Sequence, residues 1–209
     1  MFELPAREFG GFIFDCDGTL ADTMPLHQRA WVLALRAHGA CFDFGWELFM
    51  RRAGMSIEKT VEELNVEFSL NMDPPRVAAD QRRHYEALMD GVQPIRPVLD
   101  FARARAGRRP LSVASGGERD IVLRTLRAIG ASELFPVVVV AADVVHGKPA
   151  PDMFLLAAER MGVPPAECLV FEDSLLGIEA ARSAGMQAVL VPSQGGDAAS
   201  ASPPSRGSE

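Results

Sequence analysis

Four short segments of this chain carry the residue types that handle phosphate and divalent cations. Asp15-Cys16-Asp17-Gly18-Thr19 sets two carboxylates two residues apart, and Ser115-Gly116-Gly117 offers a hydroxyl followed by two glycine amides. Gly147-Lys148-Pro149 contributes an ammonium, and Glu172-Asp173-Ser174 adds two further carboxylates. Taken singly, each is ordinary. An Asp-x-Asp is a common turn, acids ahead of a helix favour its dipole, and a lysine in a turn is commonly solvated. Together they are not ordinary, because clustered carboxylates repel one another unless a cation sits among them or some hold protons. Hard oxygen donors beside a single ammonium suit Mg²⁺, which keeps several waters and pairs with substrate phosphate.

Each segment follows a short apolar run: Gly11 to Phe14, Leu111 to Ala114, Val137 to Ala142 and Leu169 to Phe171, with Ala188 to Val191 as a fifth. These runs lack polar alternation, as strands buried on both faces do. Helical patterns lie between them. Ile121, Val122, Leu126 and Ile129 recur at helical spacing before Gly130; two further sets precede Gly162 and Gly185. Such alternation predicts an α/β fold, a Rossmann-like doubly wound parallel sheet. In an open sheet of this kind ligands bind beyond the carboxyl ends of the strands, where all four segments fall.

The alternation has one gap. Between the first and second strands the chain reads as helices only, over Leu26 to Ala37, Ile57 to Leu70 and Arg76 to Met89. A crossover needs one helix, so the surplus predicts an inserted α-helical cap domain. The expected division is a catalytic core over 1–22 and 94–192, a cap over 23–93, and a flexible tail over 193–209 that is Ser/Gly/Pro/Ala-rich with little to bury.

Composition narrows the class. The 209 residues are 48% hydrophobic and 23% charged, with a net charge of −7; these values exclude a disordered chain, and the acidic balance argues against nucleic-acid binding. Cys16, Cys41 and Cys168 show no metal-ligand or disulfide spacing, and the apolar surroundings of Cys16 and Cys168 predict small buried side chains. No segment is apolar enough for a signal peptide or a membrane span. A soluble, cytoplasmic monomer with no membrane partner is expected.

The four segments, in this order and at these strand ends, resemble the motifs of the haloacid dehalogenase superfamily of aspartate-nucleophile phosphotransferases. The resemblance spans nearly the whole chain except the tail. The helical insert is similar to the cap of the branch containing β-phosphoglucomutase and small sugar-phosphate phosphatases, and Lys148-Pro149-Ala150-Pro151-Asp152-Met153-Phe154 resembles the fructose-1-phosphate phosphatase-like members. It implies that Asp15 is the nucleophile, Asp17 the general acid and base, and Lys148 the charge stabiliser. Asp15, Asp17 through its carbonyl, Asp173 and Glu172 would form the metal set. Ser115, Gly116, Gly117 and Thr19 would contact substrate phosphate, and His27, Arg52 and Gly54 would act from the cap.

The implied function is a Mg²⁺-dependent phosphatase of small phosphorylated metabolites, with a β-phosphoglucomutase-type phosphomutase as the alternative. Ile57 stands where a mutase would carry an arginine for its second phosphate, with Arg52 and Lys59 as the available replacements. A receiver domain also gathers acids and a lysine, but it has no helical insert and no role for Asp17. A dehalogenase proper needs no proton donor for its halide. Trp31, Trp46 and Phe44 read as packing residues, and His38, His84 and His146 show no ligand spacing.

Overall fold

In the computed structural model, which describes residues 3–52 and 55–192, the chain opens on strand β1 (Gly11–Phe14) and reaches a two-residue strand β2 (Ala21–Asp22). Four helices follow: α1 (Met24–Ala37), α2 (Trp46–Met50), α3 (Ile57–Glu67) and α4 (Pro74–Leu88). The short β3 (Gln93–Pro94) returns the chain to α5 (Arg96–Arg103), β4 (Leu111–Ser115), α6 (Arg119–Ala128) and β5 (Val137–Val140). Helix α7 (Asp152–Met161), β6 (Cys168–Glu172), α8 (Leu175–Ser183) and β7 (Gln187–Leu190) complete it. Residues 53, 54 and 193–209, and with them Gly54 and the expected tail, lie outside the described residues.

The sheet is five-stranded and parallel in the order β5-β4-β1-β6-β7. Side chains alternate across it, as a period of two demands. Phe12, Phe14, Val113, Leu169 and Phe171 join one core with Leu99 of α5 and Leu126 of α6. Ile13, Ala114, Cys168 and Val170 face the other way, onto Phe154 and Ala157 of α7 and Ala180 and Ala181 of α8. Two helices thus cover each face, which is the doubly wound plan. Phe14 is fully buried between neighbours on three elements, stacked on Phe171 at 4.9 Å and edge-on to Phe101 and Phe135. Cys16 and Cys168 are buried free thiols, and Cys41 is exposed.

Trp31, Leu35, Phe44, Phe49, Val61, Leu64 and Val77 make a separate apolar cluster within α1 to α4. The two passages of chain into and out of these helices pair with each other, Ala21 opposite Pro94 and Asp22 opposite Gln93 in the antiparallel β2–β3 ribbon. This ribbon is too short to register as an alternating pattern.

The boundaries differ from the sequence reading where side chains intervene. The third core strand stops at Val140 rather than Ala142, because Asp143 Oδ2 accepts the Val140 N–H at 3.0 Å and is itself held by Arg119 and Arg160. The helix expected to reach Leu70 ends at Glu67: Asn65 bonds both backbone groups of Met72, and Ser69 takes a φ of 53°. Helix α5 was not expected, the sequence marking here only a return of the chain to the core at Pro94 and Pro97. Pro97 sits in the first turn, where a missing N–H costs nothing. Gly130, Gly162 and Gly185 follow α6, α7 and α8 with positive φ, as the helix-end reading requires.

Phe14→Ala is expected to lower the unfolding free energy by about 3–5 kcal/mol, measured by urea denaturation. A loss below about 1 kcal/mol would mean the aromatic layer can collapse around the void.

Candidate active site

The fold brings the four polar segments to one rim, beyond the carboxyl ends of β1, β4 and β6 and in the loop between β5 and α7. Lys148 stands between two of them. Its Nζ donates to Asp15 Oδ1 at 2.7 Å and to Glu172 Oε1 at 3.1 Å, and lies 5.1 Å from the centre of the Phe154 ring. Asp15, Glu172 and Asp173 each offer a carboxylate oxygen within 4.8 Å of the others. Three carboxylates face one ammonium, and the surplus negative charge governs their proton affinities. Burial pushes Asp15 well above the ordinary carboxylate range; Lys148 opposes the rise, while Glu172, Asp173 and Asp17 add to it. Burial and the neighbouring Glu172 carry Asp173 up to about 7. Burial works against the Lys148 charge, but Asp15 and Glu172 outweigh it and hold the ammonium above its usual value.

Glu172 is the best satisfied of the three. Its Oε2 accepts the N–H of Asp173 at 2.8 Å and of Ser174 at 3.3 Å, and its Oε1 accepts Ser174 Oγ at 2.8 Å besides Lys148. Ser174 in turn caps α8 by accepting the Gly177 N–H at 3.0 Å. Only glycine fits at 177, since a Cβ there would lie 1.8 Å from Glu172 Oε1. Gly18 is constrained similarly: its φ is +77° and a Cβ would lie 2.2 Å from Asp173 Oδ2. Thr19 is fully buried, with Oγ1 donating to Asp173 Oδ1 at 3.4 Å.

The Asp17 carboxylate is not part of this cluster. Its Oδ1 accepts Thr23 Oγ1 at 2.7 Å and lies 4.0 Å from His27 Nε2. Its Oδ2 faces Gly117, a Cβ at that glycine falling 3.6 Å away. The second carboxylate of the Asp-x-Asp pair is thereby aimed at the Ser115-Gly116-Gly117 loop, apart from the acids around Lys148. In that loop the Gly117 N–H donates to Ser115 Oγ at 3.1 Å, which leaves the hydroxyl hydrogen free to donate.

The helical segment meets the core close to Asp17. His27 of α1 stacks on Tyr85 of α4 with ring centres 3.8 Å apart, and burial lowers its proton affinity against the pull of Asp17. Arg82 pairs with Glu118 beside the glycine loop, and Arg124 of α6 reaches the Glu86 carbonyl at 3.0 Å and Asp90 at 3.7 Å. Such solvent-exposed pairs contribute little stability; Ala30, Tyr85 and Met89, buried in one cluster with Phe14, Val122 and Leu126, hold the two parts together. Arg52 is committed elsewhere: it pairs with Glu67, approaches Glu63 at 4.0 Å and donates to the Leu48 carbonyl at 3.3 Å. Lys59 is exposed, and Trp31, Phe44 and Trp46 pack in the helical cluster. His38 pairs with Asp80 and His146 with Asp152.

Sequence reasoning placed Thr23 and Ser174 in or beside the polar segments without giving them a role, and it missed Tyr85. A serine after Glu172-Asp173 and ahead of an apolar helix is a readable cap signal, and Thr23 lies only six residues beyond Asp17. Tyr85 carries no such signal, because its neighbours come from remote parts of the chain.

A family model described as a haloacid dehalogenase-like hydrolase matches residues 9–185. The chain is 40% identical over 187 residues to fructose-1-phosphate phosphatase YqaB of Escherichia coli, covering 88% of this chain and 97% of that protein. It is 32% identical over 181 residues to a phosphorylated carbohydrates phosphatase of Thermotoga maritima, covering 85% and 82%. Among solved structures, a conserved haloacid dehalogenase-like protein of unknown function from Agrobacterium tumefaciens superposes with a TM-score of 0.75 at 29% identity, over 86% of this chain and 81% of that one. No helix among the described residues is long and apolar enough to cross a membrane.

The carboxylate surplus has a measurable consequence. A group whose folded proton affinity is raised contributes stability below its unfolded pKa, and that contribution is lost as pH rises through the folded value. For Asp173 the window runs from 3.8 to about 7. In chelator, the thermal midpoint is therefore expected to fall across this range, and Asp173→Asn to flatten the fall. An unchanged slope in the variant would remove Asp173 from the charge balance.

Proposed function

The chain is a phosphatase belonging to the haloacid dehalogenase-like hydrolases, and from that premise we propose that it cleaves small sugar phosphates through a phosphoryl group carried transiently on Asp15, with Mg²⁺ as cofactor. The observation that carries this reading is the separation of two carboxylate environments. Asp15 shares a buried cluster with Lys148, Glu172 and Asp173, whereas Asp17 is held outside it by Thr23. One acid is arranged to bear charge and the other to exchange a proton.

The donor set fits a hard divalent cation. Asp15, Glu172 and Asp173 leave the cluster short of positive charge by more than Lys148 supplies, and Asp15 Oδ2 accepts no hydrogen bond among the described residues. Asp15, Asp173 and the Asp17 carbonyl would hold the ion, with Glu172, whose oxygens are already engaged, acting from behind or through water. When bound, Mg²⁺ supplies charge neutralisation for the carboxylates and the incoming phosphate.

The residues then divide the work. An Asp15 carboxylate oxygen attacks phosphorus, and the bond from phosphorus to the sugar oxygen breaks. Asp17 Oδ2 delivers the proton that the leaving alkoxide needs and removes one from the water that later attacks the same phosphorus, breaking its bond to Asp15 and returning the Asp15 carboxylate with release of inorganic phosphate. Lys148 offsets charge on the transferring group and on Asp15, a task suited to a compact ammonium. The Ser115 hydroxyl and the glycine loop amides hold phosphate oxygens. His27 and Tyr85 close the site from the helical side, and Thr19 braces Asp173.

The sugar-phosphate assignment draws on the named substrates of relatives, fructose 1-phosphate for YqaB and phosphorylated carbohydrates for the Thermotoga enzyme. A phosphomutase would pass the same phosphoryl group to a sugar hydroxyl. Ile57 in place of an arginine and the engagement of Arg52 by Glu67 favour water as the acceptor.

Phosphate release from a panel of sugar phosphates, in Mg²⁺ and then in chelator, tests the proposal; equal rates in chelator would remove the metal from it. Conversion of glucose 1-phosphate to glucose 6-phosphate faster than phosphate release would replace the phosphatase assignment with the mutase. Asp15→Asn is expected to abolish turnover. Asp17→Asn should lose far more activity on a sugar phosphate than on p-nitrophenyl phosphate, whose leaving group departs without a proton; equal losses would show that Asp17 is not the acid. Lys148→Ala should reduce kcat by about 10²–10³.

A further inference from the structure

At the end of the sheet remote from the catalytic rim, the chain builds a second concavity of opposite charge. It has a volume of about 660 Å³ and lies at the amino ends of β1, β4 and β6. Phe9, Phe12 and Phe101 form its floor, and Arg7, Arg105, Arg108 and Arg109 stand around it, with Glu8 as the one lining carboxylate. The surplus of three positive charges sits in a chain whose total is −7.

Two of the guanidinium groups are fixed by stacking. Arg105 lies 3.4 Å above the centre of Phe101 and 5.3 Å from that of Phe12, and Arg7 lies 4.7 Å from Phe9. These three are the guanidinium–ring contacts among the described residues, and all fall in this one place. A guanidinium lying on a ring keeps its N–H edge available and loses little freedom on binding an anion. Existing partners leave most of those donors unspent. Arg7 donates to the Ala166 carbonyl at 2.9 Å and, at 3.4 Å, to that of Glu8; Arg105 makes a long contact to the Phe101 carbonyl at 3.4 Å; Arg109 pairs with Glu8 at 3.2 Å. The Arg108 guanidinium has no hydrogen bond or ion pair among the described residues, its backbone N–H alone being engaged, by the Arg105 carbonyl at 3.0 Å. Shielding the aromatic floor from water would account for Arg7 and Arg105, but not for Arg108 and Arg109.

We propose that this concavity is a binding site for a small polyanion, a metabolite bearing two or more phosphate groups, separate from the catalytic rim. Guanidinium forks match phosphate oxygens in pairs, and the volume is that of a metabolite site. None of the roles assigned to Asp15, Asp17 or Lys148 enters this inference.

The test is calorimetric titration of inorganic tripolyphosphate into the full chain in chelator at about 0.1 M salt, where the carboxylate-rich rim repels polyanions. One-to-one binding is expected, weakened about tenfold in Arg105→Gln and in Arg108→Gln, as for loss of a charge-assisted hydrogen bond, and unchanged in Ser115→Ala. Arg108 is exposed and its guanidinium unpartnered, so its variant should keep the wild-type unfolding midpoint and phosphate-release rate. Absence of binding, wild-type affinity in either arginine variant, or loss of binding in Ser115→Ala would overturn the proposal, the last by placing the anion at the catalytic rim.

Discussion

The site depends on one ammonium buried between two carboxylates. Lys148 reaches Asp15 from one side and Glu172 from the other, all three side chains being nearly removed from water. Taking such charges out of solvent is costly, and the contact repays that cost only where geometry is good and the remaining oxygens find donors. Here Ser174 and two backbone amides supply them for Glu172, while Asp15 and Asp173 remain undersatisfied. The imbalance is a property of the catalytic apparatus. It leaves Asp15 and Asp173 holding protons more tightly than ordinary carboxylates, in a cluster that could hold a metal ion. Lys148 and Lys59 are the only lysines in the chain; where arginine carries nearly all other positive charge, a point-like ammonium has been kept at the position that must fit between two acids.

The fold supplies what that triad needs. β1 and β6 are neighbours in the sheet with Phe14 opposite Phe171, so Asp15 and Glu172 leave adjacent strand ends. The loop before α7 crosses the same rim and delivers Lys148 from 133 residues away in sequence. Close packing sets the remaining positions: glycine at 18 and at 177 lets Asp173 and Glu172 come against the backbone. Asp17 escapes the cluster because the chain bends away at Gly18 and Thr23 captures one of its oxygens. Two acids separated by one residue thereby acquire different surroundings and different chemistry.

The helical segment after β2 has an apolar cluster of its own and meets the core through Ala30, Tyr85 and Met89, which are buried in the core cluster, through His27 near Asp17, through the exposed ion pairs along α4 and α6, and through the β2–β3 ribbon. The carboxylate rim and the arginine-lined concavity lie at opposite ends of the same sheet, so the net charge of the chain conceals two regions of opposite potential.

The sequence alone determined the parallel sheet, the run of helices inserted after its first strand and the polar segments that meet at one rim, because buried strands write continuous apolar runs and polar groups stand where those runs stop. It missed α5, whose proline is harmless in a first turn, and it overran β5, where Asp143 takes the Val140 amide. Only the tertiary structure decided how the polar residues pair: that Glu172 grips Lys148, that Asp17 turns to Thr23, that Arg52 is engaged by Glu67, and that Tyr85 stacks on His27. Strand ends and helix faces are local features with a period, legible along one dimension. The partner of a buried charge is chosen by distance in space, and segments far apart in the chain become neighbours only once the sheet has been ordered.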